Sequence, residues 1–170
     1  NQLAEDLRNV TEDVYVFPVD EVLSAEMAFS SPEAREERVA ALNAVSQGKT
    51  GIYVLPVAAL RKYLPEKKTW LANQFQWQIG DEIDLERLPQ QLILMGYERQ
   101  SMIGKPGEFS IRGSILDIYP LNAEYPVRIE LFDVEIDSMR SFNVETQRSV
   151  ETLQQVAVLP TTELVFSAED

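Results

Sequence analysis

Gly107-Glu108-Phe109-Ser110-Ile111-Arg112-Gly113-Ser114-Ile115-Leu116-Asp117-Ile118-Tyr119-Pro120 and, after a short break, Pro126-Val127-Arg128-Ile129-Glu130-Leu131-Phe132-Asp133 decide the fold class of the second half of this chain. Phe109 and Ile111 alternate with Glu108, Ser110 and Arg112. Val127, Ile129 and Leu131 alternate with Arg128, Glu130 and Phe132. Period-two patterning of this kind belongs to strands with one face on a core and one face toward solvent. Gly104-Lys105-Pro106-Gly107 and Asn122-Ala123-Glu124 supply turns. Gly113 is expected to be a bulge or bend that shifts the facing of Ile115–Tyr119. Ile136, Met139 and Phe142 continue the meander less regularly, and Leu153–Leu159 is expected to be a last strand.

Upstream of the meander, Asp84 is placed as the N-cap of a helix with Leu85, Leu88, Leu92 and Met95 on one face, ended by Gly96. Residues 74–160 therefore read as a small antiparallel-sheet α+β domain. Residues 1–73 have another character. A short helix over Asn1–Asn9 precedes an apolar strand, Val14–Phe17, stopped by Pro18. Ser31-Pro32 is a helix start, with Val39, Leu42 and Val45 at helical spacing and Gly48 as the close. Ile52–Leu55 is a second strand, followed after Pro56 by a helix expected to run through Leu64. Strand, helix, strand, helix predicts a parallel α/β layer. Two strands do not close such a sheet, so the rest of that domain is expected outside the chain. The chain also lacks an initiator Met, which suits a piece of a longer protein. The fold class is thus α/β plus α+β, with residues 161–170 beginning a return toward the first domain.

Composition removes whole classes of chemistry. Without cysteine there are no disulfides, no thiol nucleophile and no cysteine-ligated metal, which suits a cytoplasmic protein. Without histidine, Ser-His-Asp and Cys-His systems are excluded and zinc is disfavoured. No run of 18 apolar residues marks a membrane span, and no secretory signal opens the chain. Twenty-eight acids against 15 bases give a net charge of −13. Phosphate backbones are bound through Lys and Arg with release of counterions, so little direct DNA binding is expected and a protein partner is favoured.

Three stretches imitate catalytic motifs. Gly48-Lys49-Thr50 has the end of a phosphate-binding loop, but Asn43 stands where that motif requires glycine, and the order is helix–loop–strand rather than strand–loop–helix. Asp133, Glu135 and Asp137 would share one face of a regular strand and so admit an acidic, divalent-metal enzyme as an alternative. Against it, no glycine-turned loop brings the carboxylates in from several directions. Glu108 and Asp117 form a formal acid pair with nothing marking a cleft or a raised pKa. No catalytic residue, metal ligand or cofactor is assigned to this chain.

The outward face of the meander is the unusual feature. Phe132 points away from the core and gains no burial unless something covers it, and Arg128 shares its face. Arg112 is also turned outward by the alternation. Arginine and aromatic residues are enriched where protein interfaces concentrate their energy. The competing structural account has Phe132 tucked under a loop and each arginine paired with local acids.

The segment 107–120 quoted above resembles the GEFS-RGGILD-(F/Y)P signature of the transcription-repair coupling factor (Mfd) family, with Ser114 where a second glycine is usual. Pro126–Ser138 follows at the spacing of that family, and Phe142-Asn143-Val144-Glu145-Thr146-Gln147-Arg148-Ser149 resembles its later FD-(V)-(D/E)-(S/T)-Q-R motif. The excision-repair protein UvrB carries a related pattern. Ser30–Arg38 matches the coupling-factor helix start, and the tyrosine-rich hairpin of UvrB has no counterpart between Phe17 and Ser31. A UvrB fragment remains the alternative.

The resemblance implies that residues 1–73 are part of a degenerate RecA-like domain without an ATP site, and that residues 74–160 bind UvrA. It carries the family's UvrA-contacting positions onto Arg112, Arg128 and Phe132, with Glu130 between them as a residue that tunes the contact. It further implies a longer parent whose ATP- and Mg-dependent DNA translocase motor and RNA polymerase-binding region lie downstream. Hydrolase and helicase activities belong to that parent, which links stalled polymerase to nucleotide excision repair.

Overall fold

The computed structural model describes residues 2–18, 32–57 and 64–162. The chain divides into two compact units at Leu71/Ala72.

In the first unit, α1 (Gln2–Arg8) is followed by β1 (Val14–Val16), α2 (Pro32–Gln47) and β2 (Ile52–Val54). β1 and β2 pair in parallel, Val14 with Ile52 and Val16 with Val54. Parallel strands need a crossover, and α2 supplies it, as the strand–helix–strand order predicts. Val14 and Val16 are buried with Ala4, and Leu7 and Val54 pack beside them. Among the described residues the parallel layer consists of these two strands. The buried residues of α2 include Val39, Ala41, Leu42 and Ala44, whereas Val45 is half exposed. Small alanines, not the expected valine, carry that turn of the helix. Gly48 closes α2 at φ +69°, with Gly48 N–H on Val45 O and Lys49 N–H on Ala44 O. That double bond pattern is a glycine-based helix stop. Gly-Lys-Thr here is therefore a helix end, with β2 after it. The expected Ser31 cap and most of the helix after Pro56 lie outside the described residues.

α3 (Lys67–Ala72) and β3 (Phe75–Gln78) occupy a stretch that the sequence reading left without elements. In the second unit α4 (Leu88–Leu94) is followed by β4 (Glu98–Arg99), β5 (Glu108–Arg112), β6 (Ile115–Ile118), β7 (Val127–Phe132), β8 (Glu135–Phe142), β9 (Ser149–Leu153) and β10 (Gln155–Val158). β4 to β9 form one sheet in sequence order. Every pair is antiparallel except β4–β5. β10 leaves that sheet and pairs with β3 as a separate ribbon. The expected last strand over Leu153–Leu159 corresponds to β10, whereas β9 lies before it and has no counterpart in that expectation.

One face of the sheet carries Phe109, Leu116, Ile118, Val127, Ile129, Leu131, Ile136 and Met139 into a single core. Leu88, Leu92 and Met95 join it from the α4 region, and Trp77 and Val158 join it from the ribbon. The helix face is the expected one, but its start is not. α4 begins at Leu88, while the Asp84 carboxylate accepts the Glu86 and Arg87 N–H groups and caps the turn before it.

Three local departures shape the outer face. Gly113 is not a bulge. It is the first residue of a two-residue hairpin turn, at φ +60°, between paired Arg112 and Ile115, a position that favours glycine. The bulge lies in β8: Glu130 pairs with Ser138 but Leu131 pairs with Ile136, leaving Asp137 over. That insertion is why Ile136 and Met139 are three apart yet both face the core. Glu108 and Ser110, expected outward and solvated, are buried. Their side of β5 is covered by the preceding loop. Glu108 Oε2 accepts Gly104 N–H and Lys105 N–H, and Ser110 Oγ donates to Ser101 O.

Candidate functional site

The sheet register aligns a polar row across the outer face: Ser110, Asp117, Arg128, Arg140 and Thr152, each opposite the next. A neighbouring row holds Arg112, Ile115, Glu130 and Ser138. Phe132 closes the face at the end of β7, opposite Glu135.

Asp117 organises the first row. Its side chain is only 4% exposed. Oδ2 accepts Arg112 Nη2 at 2.6 Å and Arg128 Nη2 at 2.8 Å, and Oδ1 accepts Arg128 Nε at 2.7 Å. Charge-assisted bonds in a fork geometry both strengthen and orient such a pair. The Asp117 hydrogen bonds hold the Arg128 guanidinium pKa above its ordinary value, against the opposing pull of burial. Arg128 also lies over the Phe142 ring, 4.5 Å from its centroid, an arrangement in which cation and ring attract.

The β8–β9 loop closes on the same arginine. Gln147 Oε1 accepts Arg128 Nη2 at 3.2 Å, and Gln147 Nε2 donates to Val144 O. Gln147 sits at φ +57°, a conformation that non-glycine residues adopt at a cost. Asn143 supports the turn by accepting both the N–H and the hydroxyl of Thr146. Like charges placed directly across strands, as Arg128 and Arg140 are, repel. Here each arginine turns to a carboxylate instead, Arg128 to Asp117 and Arg140 to Glu130 Oε1 at 2.6 Å.

Arg112, Arg128 and Glu130 thus share one face and belong to one charged network, and Phe132 stands beside it, 80% exposed. Arg112 is half exposed, whereas Arg128 is held down with 15% of its side chain accessible. Sequence reasoning missed Asp117, Arg140, Phe142 and Gln147 as members of the network. The alternation does put Asp117 outward, but which residue faces it is set by the β6–β7 register.

The acidic alternatives do not assemble. Asp133 lies in the β7–β8 turn at φ +59°. Glu135 begins β8, and Asp137 is the bulged residue. A turn and a bulge break the period that would have put the three on one strand face. Among the described residues no group of three His, Cys, Asp or Glu side chains is placed to hold a metal ion. Glu108 and Asp117 are both engaged, one by loop N–H groups and the other by arginines.

The sheet face thus holds Arg128 in place and leaves Phe132 uncovered. The family model described as the UvrB interaction domain matches residues 75–164, and the chain belongs to that family. It is similar across its length to full-length bacterial proteins named transcription-repair-coupling factor. That of Bacillus subtilis (strain 168) is 46% identical over 171 aligned residues, covering 99% of this chain and 14% of the relative. That of Staphylococcus aureus (strain MRSA252) is 40% identical over 158 residues, covering 93% of this chain and 13% of the relative. The chain therefore spans about one seventh of the length of these curated relatives. No helix among the described residues is long and apolar enough to cross a membrane.

Proposed function

We propose that this chain is the UvrA-recruiting module of a transcription-repair coupling factor and performs no catalysis itself. In this reading the parent protein acts in the cytoplasm, where it links stalled RNA polymerase to nucleotide excision repair. Its polymerase contacts, DNA contacts and ATP- and Mg-dependent translocation come from other regions. The first unit is a remnant of a RecA-like domain. The observation that carries the reading is the uncovered Phe132 beside the arginine–carboxylate network on the open sheet face. An uncovered aromatic ring on the same sheet face as oriented arginines is the composition of an interface centre. The network is also an island of three cations and two anions on a chain of net charge −13, which disfavours DNA as the partner of the remaining surface.

Calorimetric titration of this chain with UvrA tests the reading. Wild type is expected to bind at about micromolar affinity or tighter. Arg112→Ala, Arg128→Ala and Phe132→Ala, each shown folded by circular dichroism, are each expected to lose about 1–3 kcal/mol. Absence of binding by wild type removes the recruiting role. Folded variants that all bind like wild type move the contact to another face.

A further inference from the structure

We infer that Asp117 is a positioning residue for recognition: it sets the arginines for the partner without touching the partner itself. The inference rests on the UvrA-recruiting reading of this face.

A carboxylate buried to this degree costs solvation and is retained only where its bonds compensate. Three guanidinium bonds do so here. They also consume particular donors. Asp117 takes Arg128 Nε, takes one side of Arg128 Nη2, whose other contact is Gln147, and takes Arg112 Nη2. Among the described residues no partner engages Arg128 Nη1, Arg112 Nη1 or Arg112 Nε. The clamp therefore fixes the Arg128 guanidinium plane through two bonds and tethers Arg112 through one, leaving donors on each, and it ties the two arginines to one another through one shared carboxylate.

Arginine carries large rotamer freedom, and ordering it at the moment of binding lowers affinity. With Asp117 in place that ordering precedes the encounter. The chemistry that suits the remaining donors is a carboxylate of the partner, reached in the same approach that covers Phe132. Without Asp117, Arg128 loses its counter-charge and faces Arg140 directly across the strand pair, so the repulsion of like neighbours favours other rotamers.

The test is a cycle on the whole chain: wild type, Asp117→Asn, Arg112→Ala and the double variant, titrated with UvrA. Asparagine keeps the shape and removes the charge. Asp117→Asn is expected to bind UvrA about tenfold more weakly. The double variant is expected to be little weaker than the weaker single variant, because Asp117 acts through the arginines. In 15N spectra of the free wild-type chain, the Arg128 Nε–H signal, bonded to Asp117 Oδ1, is expected to be resolved and protected from exchange. In Asp117→Asn it is expected to merge with those of exposed arginines. Additive losses in the cycle assign Asp117 a purely structural role and overturn the inference. So does a folded Asp117→Asn chain that binds like wild type, and recruitment then stands on the unchanged losses at Arg112 and Phe132. If wild type fails to bind, recruitment falls and takes this inference with it. Should Asp117→Asn fail to fold, the wild-type spectrum decides. An Arg128 signal that is averaged in the free chain and becomes resolved only with UvrA overturns the inference; a resolved signal before and after UvrA is the expected result.

Discussion

Ile129 and Phe132 are both large apolar residues on β7, three positions apart, and the pleat sends them opposite ways. Ile129 is fully buried, whereas Phe132 is 80% exposed. Truncation separates the two roles. Ile129→Ala removes packed atoms from the middle of the core and is expected to cost about 2–5 kcal/mol of stability. Phe132→Ala removes almost no buried area and is expected to stay within about 0.5 kcal/mol of wild type. Urea unfolding of the three chains followed by circular dichroism checks both. A large loss for Phe132→Ala would mean that the ring supports the fold, and its exposure would no longer argue for a partner. The same contrast explains how much of the site was legible at residue scale. Alternation alone turned Arg112, Arg128, Glu130 and Phe132 outward, because a strand has only two faces. It did not say that Arg128 would be pinned under Gln147 and over Phe142, because those contacts come from the end of β8 and the β8–β9 loop.

Elements were legible where their pattern was local. The α4 face, the β1–α2–β2 order, the glycine stop at Gly48 and the β5–β7 meander all follow from spacing within a few residues. The β3–β10 ribbon does not. Phe75-Gln76-Trp77-Gln78 alternates, but it is short, and its partner β10 lies some 80 residues later. Nor is β9 legible locally: its first four residues are exposed and show no buried face, so that only β10 falls within the expected Leu153–Leu159. The bulge at Asp137 likewise depends on the register of two strands, not on either alone. The ribbon's return also makes the joint most open to test at this scale. After β10 the chain passes Tyr97, whose hydroxyl donates to Leu159 O at 2.8 Å, and Thr161 N–H reaches Met95 O at 2.8 Å. Burial pushes the Tyr97 hydroxyl well above its ordinary pKa. The folded state therefore keeps the neutral form while the unfolded chain ionises near pH 10, the usual tyrosine value. This contribution is complete below that pH and is lost progressively as pH rises above it. Tyr97→Phe is expected to lose about 1 kcal/mol near neutrality from the missing bond. It is also expected to show a shallower fall in stability above pH 10, read from urea midpoints between pH 7 and pH 11. An equally steep alkaline fall in the variant would place the titrating group elsewhere.

At the scale of the whole molecule, the chain divides into two units. The second has a continuous core that runs from Trp77 to Val158 and draws on α4, the sheet and the ribbon. A core of that breadth buries enough apolar surface for a domain of this size to fold by itself. The matched family region, residues 75–164, falls wholly within the second unit. A chain trimmed to residues 72–162 is therefore expected to unfold in one cooperative thermal transition. Its Arg112, Arg128 and Phe132 should then give the same relative losses of UvrA binding as in the longer chain, since Asp117, Glu130, Arg140, Phe142 and Gln147, which hold the arginines, all lie within that stretch. Differential scanning calorimetry compares the calorimetric with the van't Hoff enthalpy, and agreement between them is the expected result. A broad transition in which the two enthalpies disagree would show that the second unit needs residues 2–71 for its fold. Recognition and the parallel layer would then be one cooperative structure, not a binding sheet attached to a separate remnant.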